Sequence, residues 1–160
     1  MKLLVIGSLN IDLSVETERK PEAGETLFSK SFAVACGGKG ANQATAASKL
    51  GLDVSIVGCV GKDAFGERLL NNLKNEKVDV SGVTFGKEGT GTALINVFGS
   101  DNTIIVFGGA NGEVDCAAVD SKEATLRAHL QKSNRQNVEF CRFFFRQNFP
   151  FFIEGKPKKN

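Results

Sequence analysis

The chain has 160 residues, of which 41% are apolar and 24% are charged, a composition that is ordinary for a soluble protein with one folded core. Its charge is uneven, because the residues up to Glu123 include 12 basic and 16 acidic side chains, whereas the remainder includes 8 and 2. A mildly acidic body without a basic stripe predicts no nucleic-acid partner. The sequence also shows no charged-then-apolar leader and no apolar run of membrane-spanning length, so we expect a cytoplasmic protein with no membrane partner.

The cysteines predict neither a disulfide framework nor a metal site. Cys36, Cys59, Cys116 and Cys141 are scattered without the Cys-x-x-Cys spacing of metal sites, and His129 is the only histidine. We therefore expect reduced thiols and no set of metal ligands.

The first segment predicts a buried strand that ends at a binding site. Residues 3–6 form a continuous apolar run ending at Gly7, which is typical of a strand buried on both faces of a parallel sheet. Ligands of open α/β sheets bind beyond the carboxyl ends of such strands. Asn10 and Asp12 follow there at alternate positions, which point to one side of an extended chain. Taken alone, the pair favours a turn in which Asn and Asp stabilise the local backbone.

Other short strands predict a small flap beside the main sheet. Two of them, at residues 11–15 and 32–35, are separated by a polar turn at 21–25. Residues 92–98 and 103–107 predict a hairpin, with its turn at Ser100, Asp101 and Asn102.

Three glycines and a lysine at residues 37–40 run into an alanine-rich helix, predicted over 41–50 and closed by Gly51. Glycines lack Cβ and let a bound molecule approach the backbone, toward which the free N–H groups of the first helical turn also point. A Walker loop would need Ser or Thr where Gly40 stands, and the segment after Gly7 lacks the glycines of a dinucleotide fingerprint. The pattern therefore predicts a ligand-binding turn of another kind.

A βαβ progression follows the glycine turn. Residues 54–57 repeat the pattern of a buried strand, and Asp63 is placed to cap the next helix. That helix would carry four apolar side chains on one face: Phe65, Leu69, Leu70 and Leu73. Residues 78–83 lead to another strand, and residues 121–131 predict one more amphipathic helix.

Several segments resemble, in order, the motifs of the ribokinase family of carbohydrate kinases. Residues 37–44 read Gly-Gly-Lys-Gly-Ala-Asn-Gln-Ala, as the sugar-binding block of that family does. Further matching segments are residues 7–12, 21–26, 60–66, 90–93 and 109–111. The resemblance covers about the first 120 residues and implies an α/β fold, with a mainly parallel sheet flanked by helices and a small β lid, present here in incomplete form.

The resemblance also implies a function and a set of contacts. The family reaction would be ATP-dependent phosphorylation of D-ribose to D-ribose 5-phosphate, assisted by Mg²⁺ and a monovalent cation such as K⁺. By resemblance the sugar would be bound by Asn10, Asp12, Gly38, Lys39, Gly40 and Asn42, with a lid contact at Ala93. Asp12 would accept hydrogen bonds from sugar hydroxyls, and two subunits would pair through the lid as a homodimer.

Two family elements do not occur in these 160 residues. These are the Gly-x-Gly-Asp motif that carries the catalytic base and the magnesium-associated Asn-x-x-Glu. We therefore expect no catalytic and no metal-binding residue in the chain, and no kinase activity from it alone. The alternatives that stay open are a non-catalytic sugar-binding or dimerising fragment, and a kinase for another sugar or nucleoside.

The end of the sequence differs in composition from the rest. We assign residues 1–133 to the sugar-binding N-terminal half and residues 134–160 to an atypical tail, in which seven of the 13 phenylalanines fall among basic residues without a clear period. A membrane-surface helix, a nucleic-acid patch and an abnormal end from a reading-frame change, alternative splicing or a mispredicted gene are the three interpretations. Pro150 interrupts a surface helix there. We favour the abnormal end, because the composition changes abruptly where the resemblance to the family stops, and we expect the tail to add nothing specific to the fold.

Overall fold

A computed structural model describes residues 2–114, 117, 119–121 and 138–142. Its strands are β1 (Lys2–Ile6), β2 (Asn10–Thr17), β3 (Ser31–Gly37), β4 (Asp53–Val60), β5 (Asp79–Phe85), β6 (Gly91–Phe98), β7 (Asp101–Phe107) and β8 (Val138–Arg142). Its helices are α1 (Lys39–Lys49), α2 (Ala64–Asn75) and a short 3-10 helix, Gly109–Glu113. Residues 117 and 119–121 are also helical, whereas most of the helix predicted at 121–131 lies outside the described residues.

The main sheet has four parallel strands in the order β5-β4-β1-β8. The side chains of β1 alternate between two layers, with Val5 on the side of α1 and α2, and Leu4 and Ile6 on the opposite side. There they pack with Val57 and Val119. Burial on both faces explains why residues 3–6 are apolar without interruption, as predicted.

Both helices pack on the same layer of the core. Ala41, Ala44 and Ala47 are the buried residues of α1 beyond its first glycine, and their small size lets the helix lie close to the sheet. Leu69 and Leu73 of α2 are completely buried, and each stabilises the fold by about 1.5–3 kcal/mol relative to an exposed side chain. The predicted α/β architecture is confirmed. No helix in the described part of the chain has the length and hydropathy to cross a bilayer.

A second sheet has the order β3-β2-β6-β7, in which β2 is parallel to β6 and the other two pairs are antiparallel. Its strands are longer than predicted, so β2 includes Asn10, which precedes the predicted strand at 11–15, as well as Asp12. The predicted turn at 100–102 is wrong by one position. Phe98 pairs with Asp101, and the two-residue turn is Gly99 and Ser100, because Gly99 adopts the φ of 59° that such tight hairpins require.

The tail contributes one strand to the main sheet. Val138–Arg142 pairs in parallel with β1, and its Phe140 lies opposite Leu4 in the register. The expectation that residues from 134 onward add nothing specific to the fold is therefore wrong for these five residues. The reason is that the open edge of β1 presents N–H and C=O groups that an extended segment can satisfy. The domain boundary at 133 stays a prediction, and the other phenylalanines of the tail lie outside the described residues.

Asp63 joins the start of α2 to the segment before β6. Its carboxylate accepts hydrogen bonds from the Gly66 N–H at 2.8 Å, the Thr90 N–H at 2.8 Å and the Thr90 hydroxyl at 2.6 Å. Thr90 is buried, and its hydroxyl oxygen accepts from the Gly61 N–H. Burial opposes ionisation of Asp63, but the hydrogen bonds from Thr90 and Gly66 outweigh it and hold the pKa below its usual value. The predicted helix cap is confirmed.

Replacing Asp63 with Asn should lower the free energy of unfolding by about 1–2 kcal/mol at pH 7, because an amide cannot accept all three hydrogen bonds. The folded-state pKa is lowered, so the stabilisation by the carboxylate is present above the unfolded pKa of about 4 and is lost as the pH falls through the folded value. Urea denaturation at pH 7 and pH 3 should show the difference between the two proteins shrinking in acid. Glu88→Gln, which removes an exposed carboxylate, is the control. If Asp63→Asn lowered the free energy of unfolding equally at both pH values, the stabilisation would not come from the ionised carboxylate.

Candidate functional site

The glycine turn packs backbone against backbone on the loop between β1 and β2. Gly38 has φ of 94°, and a Cβ there would lie 2.5 Å from the Ser8 carbonyl oxygen and 2.8 Å from the Asn10 nitrogen. A Cβ on Gly40 would lie 2.6 Å from the carbonyl carbon of Gly7. The space that these two glycines leave open is therefore occupied by the backbone of the loop between β1 and β2. Their contact with a sugar stays a prediction.

Ser8 caps α1 from outside the helix. Its hydroxyl accepts a hydrogen bond from the Lys39 N–H at 3.1 Å, and its carbonyl accepts one from the Ala41 N–H at 3.2 Å. Two N–H groups of the first helical turn are thus bonded within the chain, and the expectation that they are free for a ligand is wrong for these two. Lys39 and Asn42 are exposed and lie three residues apart, on the same side of α1.

Asn10 and Asp12 project from the same face of β2, about 7 Å apart along the strand. The residues paired with them on the two neighbouring strands are all small: Gly37 and Ala35 on β3, and Gly91 and Ala93 on β6. The two polar side chains therefore stand on a shallow floor. Ala93 lies opposite Asp12 in the register and is largely buried, with 6% of its surface exposed.

Two of the flanking glycines leave space that polar side chains of the site fill. A Cβ on Gly37 would overlap the Asp12 carboxylate. A Cβ on Gly91 would overlap the Asn111 amide nitrogen and lie 2.5 Å from Asn10 Oδ1. Neither glycine is among the sugar contacts that the resemblance implies, although Gly37 begins the glycine block and Gly91 lies in another of the matching segments.

The Asp12 carboxylate receives no hydrogen bond from any residue that the structure describes. Partial burial removes water from it and raises its pKa above the usual value. A partly desolvated carboxylate is costly unless donors reach it, and its two oxygens offer several acceptor positions. The side chain is thus suited to bind a molecule that brings hydroxyl or N–H donors.

Asn111 binds both backbone groups of Leu9, the residue just before β2. Its Oδ1 accepts from the Leu9 N–H at 2.9 Å, and its Nδ2 donates to the carbonyl oxygens of Leu9 at 3.1 Å and Gly108 at 3.0 Å. The same Nδ2 also lies 2.8 Å from Asn10 Oδ1, so its two hydrogens are shared among three oxygens. In the sequence, the only sign of a role for Asn111 is its place in the matching segment at residues 109–111.

The 3-10 helix that carries Asn111 is anchored at both ends. The Glu113 carboxylate accepts the N–H groups of Glu88 and Lys87, each at 2.8 Å for the nearer oxygen, and these bonds hold its pKa below the usual value. Ala110 is completely buried, and its N–H donates to the Gly89 carbonyl at 2.9 Å. These bonds join residues 87–89 to the helix and hold Asn111 in position.

The predicted sugar contacts lie on strands β2 and β6, on the glycine turn and on the start of α1. Asn10, Asp12 and Ala93 form the floor, and the turn carrying Gly38 and Gly40 packs beside it on the loop that leads into β2. Lys39 and Asn42 stand on the first turns of α1. Among the described residues, no group of three or more His, Cys, Asp or Glu side chains is placed to hold a metal ion.

Residues 1–139 match the pfkB family of carbohydrate kinases, which is 139 of the 160 residues. The chain belongs to the pfkB family. The predicted membership of the ribokinase-like kinases is thereby confirmed. The match extends beyond the proposed boundary at residue 133 and into the first two residues of β8.

Relatives within the pfkB family include ribokinases. The chain is 49% identical to the ribokinase of Lactococcus lactis over 114 residues, which is 71% of this chain and 38% of that protein. It is 37% identical to the ribokinase of Bacillus subtilis over 166 aligned positions, which cover 98% of this chain and 56% of that protein. The chain therefore spans about half, or less, of the length of these relatives.

A solved structure of Arabidopsis thaliana ribokinase complexed with ribose and ATP has a similar fold. It superposes with a TM-score of 0.63 at 40% identity, over 68% of this chain and 36% of that one. The predicted ribokinase-like fold is confirmed for the part of the chain compared.

Replacing Gly91 with Ala should destabilise the protein by about 1–3 kcal/mol, because the new methyl group overlaps the amides of Asn10 and Asn111. Gly112→Ala is the matched control, since a Cβ there meets nothing within 4 Å. Urea denaturation of the two variants should show a loss for Gly91→Ala and little change, or a small gain, for Gly112→Ala. Equal stabilities would show that the packing around Gly91 is loose.

Proposed function

We propose that this chain supplies the sugar-binding part of a ribokinase, an enzyme that transfers the γ-phosphoryl group of ATP to the terminal hydroxyl of D-ribose. The observation that carries the proposal is the Asp12 carboxylate, which lacks a hydrogen-bond donor in the described structure and stands beside Asn10 on a floor of small residues. The similarity to ribokinases, including one solved with ribose and ATP, supports ribose as the sugar.

A polyol requires donors and acceptors close together, because each hydroxyl group both donates and accepts. In the proposed complex Asp12 accepts hydrogen bonds from sugar hydroxyls, and Asn10 bonds a neighbouring one. Lys39 and Asn42 donate from α1, while the backbone at Gly38 and Gly40 borders the sugar. Ala93 forms part of the floor under it. Asn10 and Asp12 are held on a strand before the sugar binds, which lowers the entropy lost on binding.

ATP is the phosphoryl donor in this proposal, with Mg²⁺ and K⁺ as assisting ions in the complete enzyme. In the described part of the chain, no group of three or more acidic, His or Cys side chains is placed to hold a metal ion. We therefore place the residues that bind these ions in the rest of the complete enzyme. The sequence also has no Gly-x-Gly-Asp motif to supply a catalytic base. We therefore expect the 160-residue chain to bind ribose without phosphorylating it, and turnover of ATP with ribose by this chain would contradict that.

A cytoplasmic location belongs to the same proposal. Cys36 and Cys59 are free thiols in the described structure, as is usual in a reducing compartment. The other class of function is a sugar-binding or dimerising protein without catalysis, and it is distinguished by whether the chain forms part of a protein that turns over ATP.

Replacing Asp12 with Ala should weaken D-ribose binding by roughly 10- to 100-fold, because hydrogen bonds to a charged acceptor are each worth about 1.5–3 kcal/mol. Isothermal titration calorimetry of the purified chain with D-ribose measures the loss. Glu16→Ala is the matched control, since it removes a carboxylate from the same face of β2 roughly 13 Å further along. If Asp12→Ala binds ribose as the unchanged chain does, Asp12 is not a sugar ligand.

We also propose that the second sheet forms a homodimer interface. β7 is an edge strand whose side chains are apolar and exposed on both faces: Ile104, Ile105, Val106 and Phe107, with Leu94 beside them on β6. A row of open backbone groups together with exposed apolar side chains favours pairing with a second copy. The occupant is then another molecule of this chain, as the resemblance to the family implied.

Replacing Ile105 with Asp should shift the chain toward monomer, because 70% of this side chain is exposed and a charge there would be buried on association. Sedimentation velocity over a range of concentrations should show a dimer for the unchanged chain and at least a tenfold weaker association for the variant. Asn102→Asp adds the same charge to the same strand outside the apolar group and should leave the association unchanged. A monomeric unchanged chain would refute the proposed interface.

A further inference from the structure

The orientation of the Asn111 amide is fixed by backbone groups. Its Oδ1 faces the Leu9 N–H, which can only donate. Its Nδ2 faces the carbonyl oxygens of Leu9 and Gly108, which can only accept. A flipped amide would bring oxygen against two carbonyl oxygens and nitrogen against an N–H. The backbone therefore decides which atom of this side chain is which, although the two are nearly identical in shape.

The orientation of Asn10 follows from that of Asn111. Asn111 Nδ2 has two hydrogens and no acceptor, so the atom of Asn10 that lies 2.8 Å from it is the oxygen Oδ1 rather than a second NH2 group. Gly91 lies directly beneath these two amides, and its missing Cβ lets them meet. The Nδ2 group of Asn10 makes no hydrogen bond to any residue in the described part of the chain. It is the part of the side chain left to bind a ligand.

We propose that Asn111 is a positioning residue for the sugar site, which acts by holding Asn10 so that it presents N–H donors and no acceptor. The site then offers a donor from Asn10 beside an acceptor from Asp12, two residues apart on one strand face. This arrangement selects two neighbouring hydroxyl groups, of which one accepts and the other donates. The contact with sugar rests on the proposed function, whereas the orientation of Asn10 does not.

Side-chain amide exchange tests the orientation in the ligand-free chain. In the ¹⁵N-labelled protein, the Nδ2 protons of Asn111 should exchange slowly with water, and those of Asn10 should exchange close to the rate of a free amide. The signals are assigned by their loss in Asn10→Asp and Asn111→Ser. Slow exchange at Asn10 Nδ2 would show that this group donates within the protein, and would overturn the proposal. In Asn111→Ser, the Asn10 amide pair should broaden or shift as its orientation is released.

Titration with D-ribose tests whether the sugar binds to the N–H donors that Asn10 presents in this orientation. Asn10→Asp keeps an acceptor for Asn111 and replaces the donor with oxygen, so it should stay folded with the Asn111 signals retained, and its ribose affinity should fall roughly 10- to 100-fold. A folded Asn10→Asp chain with unchanged affinity would overturn the proposal. If that variant does not fold, the response of the Asn10 amide signals of the unchanged chain to ribose decides: a shift supports the proposal, and none during saturable binding overturns it. Slow exchange at Asn111 without any binding of ribose would refute the proposed function and leave the orientation of Asn10 supported.

Discussion

The loop at residues 7–8 and the glycine turn at 37–40 touch through main-chain atoms, and this contact sets where α1 begins relative to both sheets. A Cβ at Gly7, Gly38 or Gly40 would come within 3 Å of main-chain atoms of the other segment. Main-chain atoms cannot rotate aside as a long side chain can, so a larger residue would push the segments apart. Ser8 caps the first turn of α1 only at this separation, because both its hydroxyl and its carbonyl accept N–H groups of the helix.

The polar groups of the site come from segments that are distant in the sequence. Leu9 and Asn111 are 102 residues apart, yet the Asn111 side chain makes two hydrogen bonds to the backbone of Leu9. A third joins it to the side chain of Asn10. Gly37 and Gly91 lie on the two strands that flank β2. Gly37 leaves space for the Asp12 side chain, and Gly91 leaves space for those of Asn10 and Asn111. The entropy of bringing the groups together is lost when the chain folds. A ligand therefore meets groups that are already arranged, which is the condition for efficient recognition by so few side chains.

Local chemistry was sufficient to predict the parts of this structure that depend on neighbours in sequence. The apolar run at residues 3–6 predicted a strand buried on both faces, and Asp63 predicted a helix cap. Asn111, Ser8 and Gly91 could not be assigned in the same way, because each acts on an element that lies elsewhere in the chain. Their only signal in the sequence was a place within a motif, and a motif does not say which backbone group a side chain will bond.

Strand pairing shows the same limit. Hydrophobic pattern identified the hairpin formed by β6 and β7 but placed its turn one residue late, since polar Asp101 and Asn102 suit a turn by composition while Gly99 suits it by conformation. The pairing of β8 with β1 was missed for a different reason. Its five residues are too few to show a clear period, and the strand forms where the open edge of β1 supplies partners for its backbone.

The second sheet packs against the core through β2 and β3, whereas β7 is an exposed edge strand. On β2, Ile11 is completely buried, and the Arg68 guanidinium of α2 donates to the Val34 carbonyl of β3 at 2.7 Å. On β7, Ile105 leaves 70% of its surface exposed. Asn10 and Asp12 extend from β2 on the face opposite Ile11. The groups that must hold a fixed geometry thus lie on a strand that packs against the core, while the exposed apolar side chains lie on the free edge of the sheet.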